Sequence, residues 1–223
     1  MFAHVQDLMD RESDLRDDIR SRVRSLDRIL RNTHTCLSQA FSATANGQAI
    51  AAESQSLFDL AREELKQLKA VVPSGQYHRY ASQFSNALQT AISLLAFRVY
   101  IASEDLLSIQ QVEGAFDIPV ETDLNTPLDF FVPLDDYLLA IASLPSELSR
   151  LAINSAAQRD YARPARILAF TQRVYQGFQT LNLKNDAVRR KYDSIKYDVK
   201  KIEEIVYDIR MRNLDAQQQA VSV

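Results

Sequence analysis

Apolar positions recur along this chain at steps of three and four, the period of a helix, and no stretch reads as a strand. The pattern is longest between residues 185 and 213. There Val188, Tyr192, Ile195, Val199, Ile202, Val206 and Ile209 form one seam of alternating four- and three-residue steps. Such a seam belongs to a helix lying lengthwise on a partner helix. Asn185 suits the N-cap and Asp186 the first turn, while Arg210 and Arg212 suit the negative end of the helix dipole. Ile205 and Tyr207 widen the apolar stripe. Two readings stay open for this helix: an internal bundle element, or one that supplies an assembly surface as well.

The same period predicts six further helices, five of them long. The first covers about residues 3–45, with Leu8, Leu15, Ile19, Val23, Leu26 and Leu30 inward. Asn46 and Gly47 break it, and a second follows over about 48–71 with Leu57, Leu60, Ala61, Leu65 and Leu68 inward. After the Pro73-Ser74-Gly75 turn a third spans 76–103, and a short fourth lies near 108–114. Residues 115–133 hold three prolines (Pro119, Pro127 and Pro133) and read as a surface connector. The fifth, about 134–155, is apolar nearly all round (Leu138, Leu139, Ile141, Leu144, Leu148, Leu151) and so should be central, kinked by Pro145. The sixth opens at Asp160, tolerates Pro164 in or near its first turn, and runs to about Leu181. The expectation is a single all-α domain over 1–213, followed by a frayed tail over 214–223.

Composition narrows the function. Four glycines and six prolines in 223 residues are too few for a turn-rich β fold, and no glycine-rich phosphate loop occurs. A net charge of −3 confines any nucleic-acid affinity to a local basic face. The single cysteine, Cys36, excludes an internal disulfide framework, points to a reducing compartment, and reads as a small buried apolar residue. His4, His34 and His78 lack zinc spacing. The first residues have neither the cationic start nor the apolar run of a signal peptide, and Ala87–Ala102 is too short and too polar to span a membrane.

Three constellations could carry chemistry. Arg16, Arg20, Arg24 and Arg28 stand four apart on the first helix, with Arg22 and Arg31 nearby and Asp27 alone opposing them between Arg20 and Arg31. Unshielded they form a phosphate ladder; the alternative is a solvated face paired with acids of a neighbouring helix. The start of the third helix, Tyr77-His78-Arg79-Tyr80, mixes aromatic and cation as single-strand binders do, although aromatics there also serve packing. Arg98, in apolar surroundings, should need a carboxylate partner from another helix or a subunit boundary. The catalytic raw material is Asp136 and Glu147, on one face of the fifth helix and about 16 Å apart at 1.5 Å per residue. They are too distant for one metal. Otherwise Asp136 is a helix-dipole partner and Glu147 an ion-pair acceptor for Arg98 or Arg150.

From Asp135 onward the chain resembles the translin family of single-stranded DNA- and RNA-binding proteins. The resemblance lies in Asp135-Asp136-Tyr137-Leu138, Glu147-Leu148-Ser149-Arg150-Leu151, Asn154-Ser155, Asp160-Tyr161-Ala162-Arg163-Pro164 and Gly177-Phe178. It continues through Leu181-Asn182-Leu183-Lys184-Asn185-Asp186, Arg190-Lys191-Tyr192-Asp193, Lys196-Tyr197-Asp198-Val199-Lys200-Lys201 and Val206-Tyr207-Asp208. The front half matches more loosely, through Arg16-Asp17-Asp18-Ile19-Arg20, Pro73, Gln76-Tyr77 and Ala96-Phe97. The resemblance implies a seven-helix subunit that assembles into a hollow oligomer, an octamer. It also implies mixed assembly with translin-associated factor X into an endoribonuclease linked to RNA silencing and to trimming of transfer-RNA precursor fragments, in the cytoplasm and also the nucleus, with no membrane partner.

In that family the catalytic acids belong to the partner: two glutamates three apart on the middle helix, and an aspartate before Tyr-Leu-Leu. Asp136 occupies the aspartate position here, but the glutamate positions fall on Thr90 and Ser93, which cannot hold a divalent metal as carboxylates do. No metal or cofactor is therefore expected on this chain, and Mg²⁺ is expected on the partner. The two basic stretches of nucleic-acid-binding members are also thinned. Residues 50–58 contain no cation, and 79–90 keep only Arg79, with Ala81 and Gln83 where histidines are usual. Each lost phosphate contact lowers affinity and flattens its salt dependence. Three readings follow. The first is a non-catalytic scaffold that binds single-stranded RNA or DNA through Arg16, Arg20, Arg24 and Arg79. The second is a Mg²⁺-dependent endoribonuclease acting as a homo-oligomer through Asp136 and Glu147. The third is a purely structural helical adaptor.

Overall fold

In the computed structural model, which describes residues 2–42, 46–123, 128–181 and 186–214, helices carry nearly the whole chain. They are α1 (Phe2–Leu37, followed by a 3-10 turn Ser38–Phe41), α2 (Gly47–Glu53), α3 (Gln55–Val71), α4 (Tyr77–Ser103) and α5 (Ile109–Phe116). After the connector come α6 (Leu134–Ile141), α7 (Leu144–Ala157), α8 (Ala162–Gln179) and α9 (Asp186–Met211). The extended pairing among the described residues is an isolated bridge between Val120 and Val132 within the connector. No helix of the described residues is long and apolar enough to cross a membrane.

The all-α expectation holds, but two of the predicted helices are each broken into a pair. The second divides at Ser54. Its buried hydroxyl donates to the Ala51 carbonyl at 2.9 Å, and the Arg98 guanidinium donates to the same carbonyl at 3.0 Å. The Ala51 oxygen is thus taken by side chains, so the regular ladder yields to a new start at Gln55. The fifth divides at Ala142-Ser143. In an unbroken helix Pro145 would orphan the Ile141 carbonyl and clash with it. Instead the chain tightens, with Ser143 N–H bonding Ala140 O, and Pro145 falls in the first turn of α7, where its missing N–H costs nothing.

Helix starts follow the local chemistry. The Asn46 side chain accepts from the backbone N–H groups of Gln48 and Ala49. Ser108 and Gln111 form a reciprocal capping box at α5. The Asp160 carboxylate accepts from Arg163 N–H at 3.2 Å, so α8 opens just after it. Arg62 of α3 closes the far end of α5, donating to the carbonyls of Gly114 and Ala115.

α4 is the axis of the bundle and touches α1, α2, α6 and α7. Tyr80, Phe84, Leu88, Ile92, Leu95 and Tyr100 are all buried along it. α1 packs on α3 and α4, while α7, α8 and α9 form a second group, with α9 also reaching α6. Every residue of the α9 seam except the half-buried Tyr192 is buried against this group. The seam is therefore consumed inside the chain as an internal bundle element, and any assembly surface on this helix lies on its outer face. Its exposed large apolar groups outside the seam are Tyr197 and Tyr207, 67% and 61% exposed, and Met211 at its end, 64% exposed.

Other inward assignments also change. Residues 2–11 are exposed, so Leu8 (51%) lies beyond the bundle, and Leu60 (54%) faces outward from α3. Cys36 is half-buried. The first helix ends at Leu37, short of the expected 45, and residues 43–45 lie outside the described set. So do Pro127, the expected N-cap Asn185, and the tail beyond Leu214.

Candidate nucleic-acid interface

Two arginines of α1 and one of α4 meet in a groove. It has a volume of about 480 Å³ and is lined by Val5, Leu8 and Met9, each 45% or more exposed, and by Arg16, Arg20 and Arg79. The lining also contains a carboxylate. Glu12 accepts from Arg16 Nε at 2.9 Å, from Arg79 Nη2 at 2.8 Å and from the Tyr80 hydroxyl at 2.8 Å. The Tyr80 hydrogen bond, then that of Arg16, holds the Glu12 carboxyl below its usual range. Burial, and then the bond to Glu12, pushes the Tyr80 phenol up.

Three of the four arginines singled out in the sequence therefore come together, and each has an acid of its own chain: Glu12 for Arg16 and Arg79, and Asp17 for Arg20 at 3.2 Å. Arg24 stands one turn beyond the groove, exposed, with no ion-pair partner among the described residues. Arg22 turns instead toward α3, reaching Gln67 and, at 3.9 Å, Glu64. Sequence reasoning passed over Glu12. Its position four residues before Arg16 was a legible helical pair, but the approach of Arg79 and Tyr80 from a helix 68 residues away was not.

The aromatic start of α4 is packing. Tyr77 stacks on Phe131 with centroids 4.2 Å apart and meets Phe84 and Phe130 edge-on, while the Tyr80 ring is buried. Of the Tyr77–Tyr80 run, His78 and Arg79 remain exposed.

The candidate catalytic carboxylates do not share a helix. Asp136 lies in the first turn of α6 and Glu147 in that of α7. Asp136 is 8% exposed, and its carboxylate accepts from Ser85 Oγ at 2.7 Å and Gln89 Nε2 at 2.9 Å. Burial outweighs these two bonds and raises its pKa. Glu147 instead lines a mixed cleft of about 240 Å³ with His34, Asn86, Gln89, Thr90 and Ser93, beside Leu94 and Phe97. Among the described residues it pairs with neither Arg98 nor Arg150. Arg98 takes the Ala51 carbonyl and Gln55, with Phe58 beneath it at 5.2 Å, in place of the expected carboxylate. Arg150 lies over Phe41 at 4.5 Å.

Thr90 and Ser93 thus bring hydroxyls into a cleft with one carboxylate, and Thr90 spends its own on the Asn86 carbonyl. No group of three or more His, Cys, Asp or Glu able to hold a metal occurs among the described residues. Hydroxyls, amides and the His34 imidazole around a single carboxylate make a poorer donor set for a divalent cation than paired carboxylates do.

The translin family model matches residues 14–213. Translin of Gallus gallus is 37% identical over 218 residues, covering 96% of this chain and 93% of that protein. Translin of Homo sapiens is 36% identical over 226 residues, covering 100% and 97%. Translin-associated protein X of Rattus norvegicus is 25% identical over 182 residues, covering 74% and 62%. Among solved structures, apo-NeC3PO superposes with a TM-score of 0.66 at 18% identity, covering 93% of this chain and 97% of that one. The AfC3PO–duplex RNA complex superposes with a TM-score of 0.59 at 19% identity, covering 95% and 98%. Both share the fold.

Proposed function

The chain belongs to the translin family, and from that premise we propose that it is a non-catalytic subunit that binds single-stranded RNA and DNA. It assembles with copies of itself, as an octamer, and with a translin-associated factor X subunit into a hollow endoribonuclease. Its place is then in RNA silencing and transfer-RNA precursor processing, in the cytoplasm and the nucleus.

The observation that carries this reading is the groove in which Arg16, Arg20 and Arg79 gather from two helices. Guanidiniums gathered on one groove suit a phosphodiester backbone, and phosphate contacts carry no base information, so length and strandedness are selected over sequence. Arg24 extends the row by one turn. The donor set around Glu147 supports the non-catalytic assignment, and Mg²⁺ chemistry falls to the partner.

The test is titration of the purified chain with short labelled single-stranded RNA at several salt concentrations. Arg20→Ala combined with Arg24→Ala weakens binding and flattens the salt slope; unchanged binding removes both residues from the site. Cleavage in Mg²⁺ is expected only when the partner is present. Cleavage by the homo-oligomer that disappears in Asp136→Ala would reject the scaffold reading.

A further inference from the structure

Glu12 occupies the position between Arg16, Arg79 and Tyr80 that a phosphate would take. We propose that Glu12 is a built-in competitor for RNA phosphate, an internal anion that keeps the groove's two convergent guanidiniums closed until a phosphodiester displaces it. The inference rests on the RNA-binding reading above and adds the device that sets its strength.

The donors come from two helices and point at one carboxylate. One Glu12 oxygen takes the Arg16 Nε–H at 2.9 Å; the other takes Arg79 Nη2 at 2.8 Å and the Tyr80 hydroxyl at 2.8 Å. Two guanidiniums and a hydroxyl are the donors that recognise phosphodiesters. A phosphodiester matches the carboxylate in charge and in its pair of terminal oxygens, so either anion satisfies the same three donors. The site is reachable, because the Arg16 and Arg79 side chains are 44% and 54% exposed and both line the groove. Tyr80 is fixed by its buried ring, so its hydroxyl stays on station whichever anion is present.

Competition of this kind has a thermodynamic signature. An arginine already neutralised by Glu12 must give up that pair to take a phosphate, and the exchange lowers affinity. The freed carboxylate also remains in the groove as a like charge facing the ligand. Removing the charge while keeping an acceptor for Tyr80 frees both guanidiniums at once.

The experiment uses the full chain in its native assembly and a fluorescein-labelled oligouridylate, with anisotropy read from about 50 to 200 mM salt. Glu12→Gln tightens binding by roughly tenfold at the lowest salt, and steepens the slope of log K against log salt by about 0.7 for each further phosphate neutralised. Glu12→Ala gives the same direction without the acceptor. Arg16→Ala with Arg79→Ala in the Glu12→Gln background abolishes the gain. Wild type binding while Glu12→Gln and Glu12→Ala bind equally or more weakly overturns the inference and makes Glu12 a positioning residue for the two arginines. Absence of binding in every variant, Glu12→Gln included, overturns the RNA-binding reading and this inference with it. Circular dichroism of each variant separates either result from loss of fold.

Discussion

Gly47 approaches the carbonyl of Ile101 so closely that a Cβ at position 47 would overlap its oxygen and carbon. The contact joins the first residue of α2 to the last turns of α4, and backbone, unlike a side-chain tip, cannot swing aside. Gly47→Ala must therefore push α2 off the central helix. The expected cost is about 1–3 kcal/mol, read as a lower urea midpoint with an unchanged slope. Gly75 provides the control. It has a φ of 72° but nothing within 4 Å of its Cβ position, so an alanine there meets backbone strain alone.

Arg98 gives the second test. It donates to the Ala51 carbonyl, bonds Gln55 across the break between α2 and α3, and lies over Phe58. Arg98→Ala removes all three contacts, and is expected to cost about 1–2 kcal/mol of unfolding stability. Arg98→Lys restores less than half, because a single ammonium cannot span both oxygens while stacking flat on the ring. Thermal unfolding of the three proteins at one concentration distinguishes these outcomes.

These contacts also mark where the sequence stopped being readable. Helix periods were legible wherever one face is buried, which is why the α9 seam and the break at Asn46 were identified from residues alone. A period cannot say which partner buries the face. The three-four steps from Val188 to Ile209 are the same whether α9 lies on α7 and α8 or on another chain. Nor can it register a break caused from a distance, as at Ser54, where a guanidinium from α4 shares the carbonyl. The candidate site was half legible for the same reason. The arginines on α1 were visible as a row, whereas Glu12 as the common acceptor of Arg16 and Arg79 needs α4 alongside.

Asp136 makes a pH-dependent prediction. Its folded pKa is raised, chiefly by burial, with Ser85 and Gln89 opposing the shift and Asp135 adding to it. A raised carboxyl means that the native state holds this proton more tightly than the unfolded chain does. Its contribution to stability is full below the unfolded value, and is lost as pH rises through the folded one. Asp136→Asn removes that dependence. The variant should thus gain on the wild type as pH rises from acid to neutral, and the gap should close again in acid. Urea unfolding of both proteins from about pH 4 to 7 checks the sign; a gap that widens toward acid would show that the bonds from Ser85 and Gln89 outweigh burial.

The outer face of α9 bears on assembly. With the seam consumed inside the chain, Tyr197 and Tyr207 are the aromatic groups that this helix leaves outward along its length, with Met211 at its end, and all three are more than half exposed. Exposed aromatics flanked by Lys200 and Glu204 have the composition of an interface centre with a charged rim. If copies of the chain meet there, Tyr197→Glu with Tyr207→Glu places two carboxylates against apolar surface. Each substitution then removes an anchor and adds a desolvation cost, and together they should raise the dissociation constant by roughly tenfold or more. Neither tyrosine is buried within its own subunit, so the unfolding free energy of the dissociated chain should move by less than about 0.5 kcal/mol. Native mass spectrometry across a dilution series reads the first quantity and urea unfolding the second. A falling mass with an unchanged midpoint assigns this face to subunit contact, whereas an unchanged mass moves the contact to another surface of the bundle.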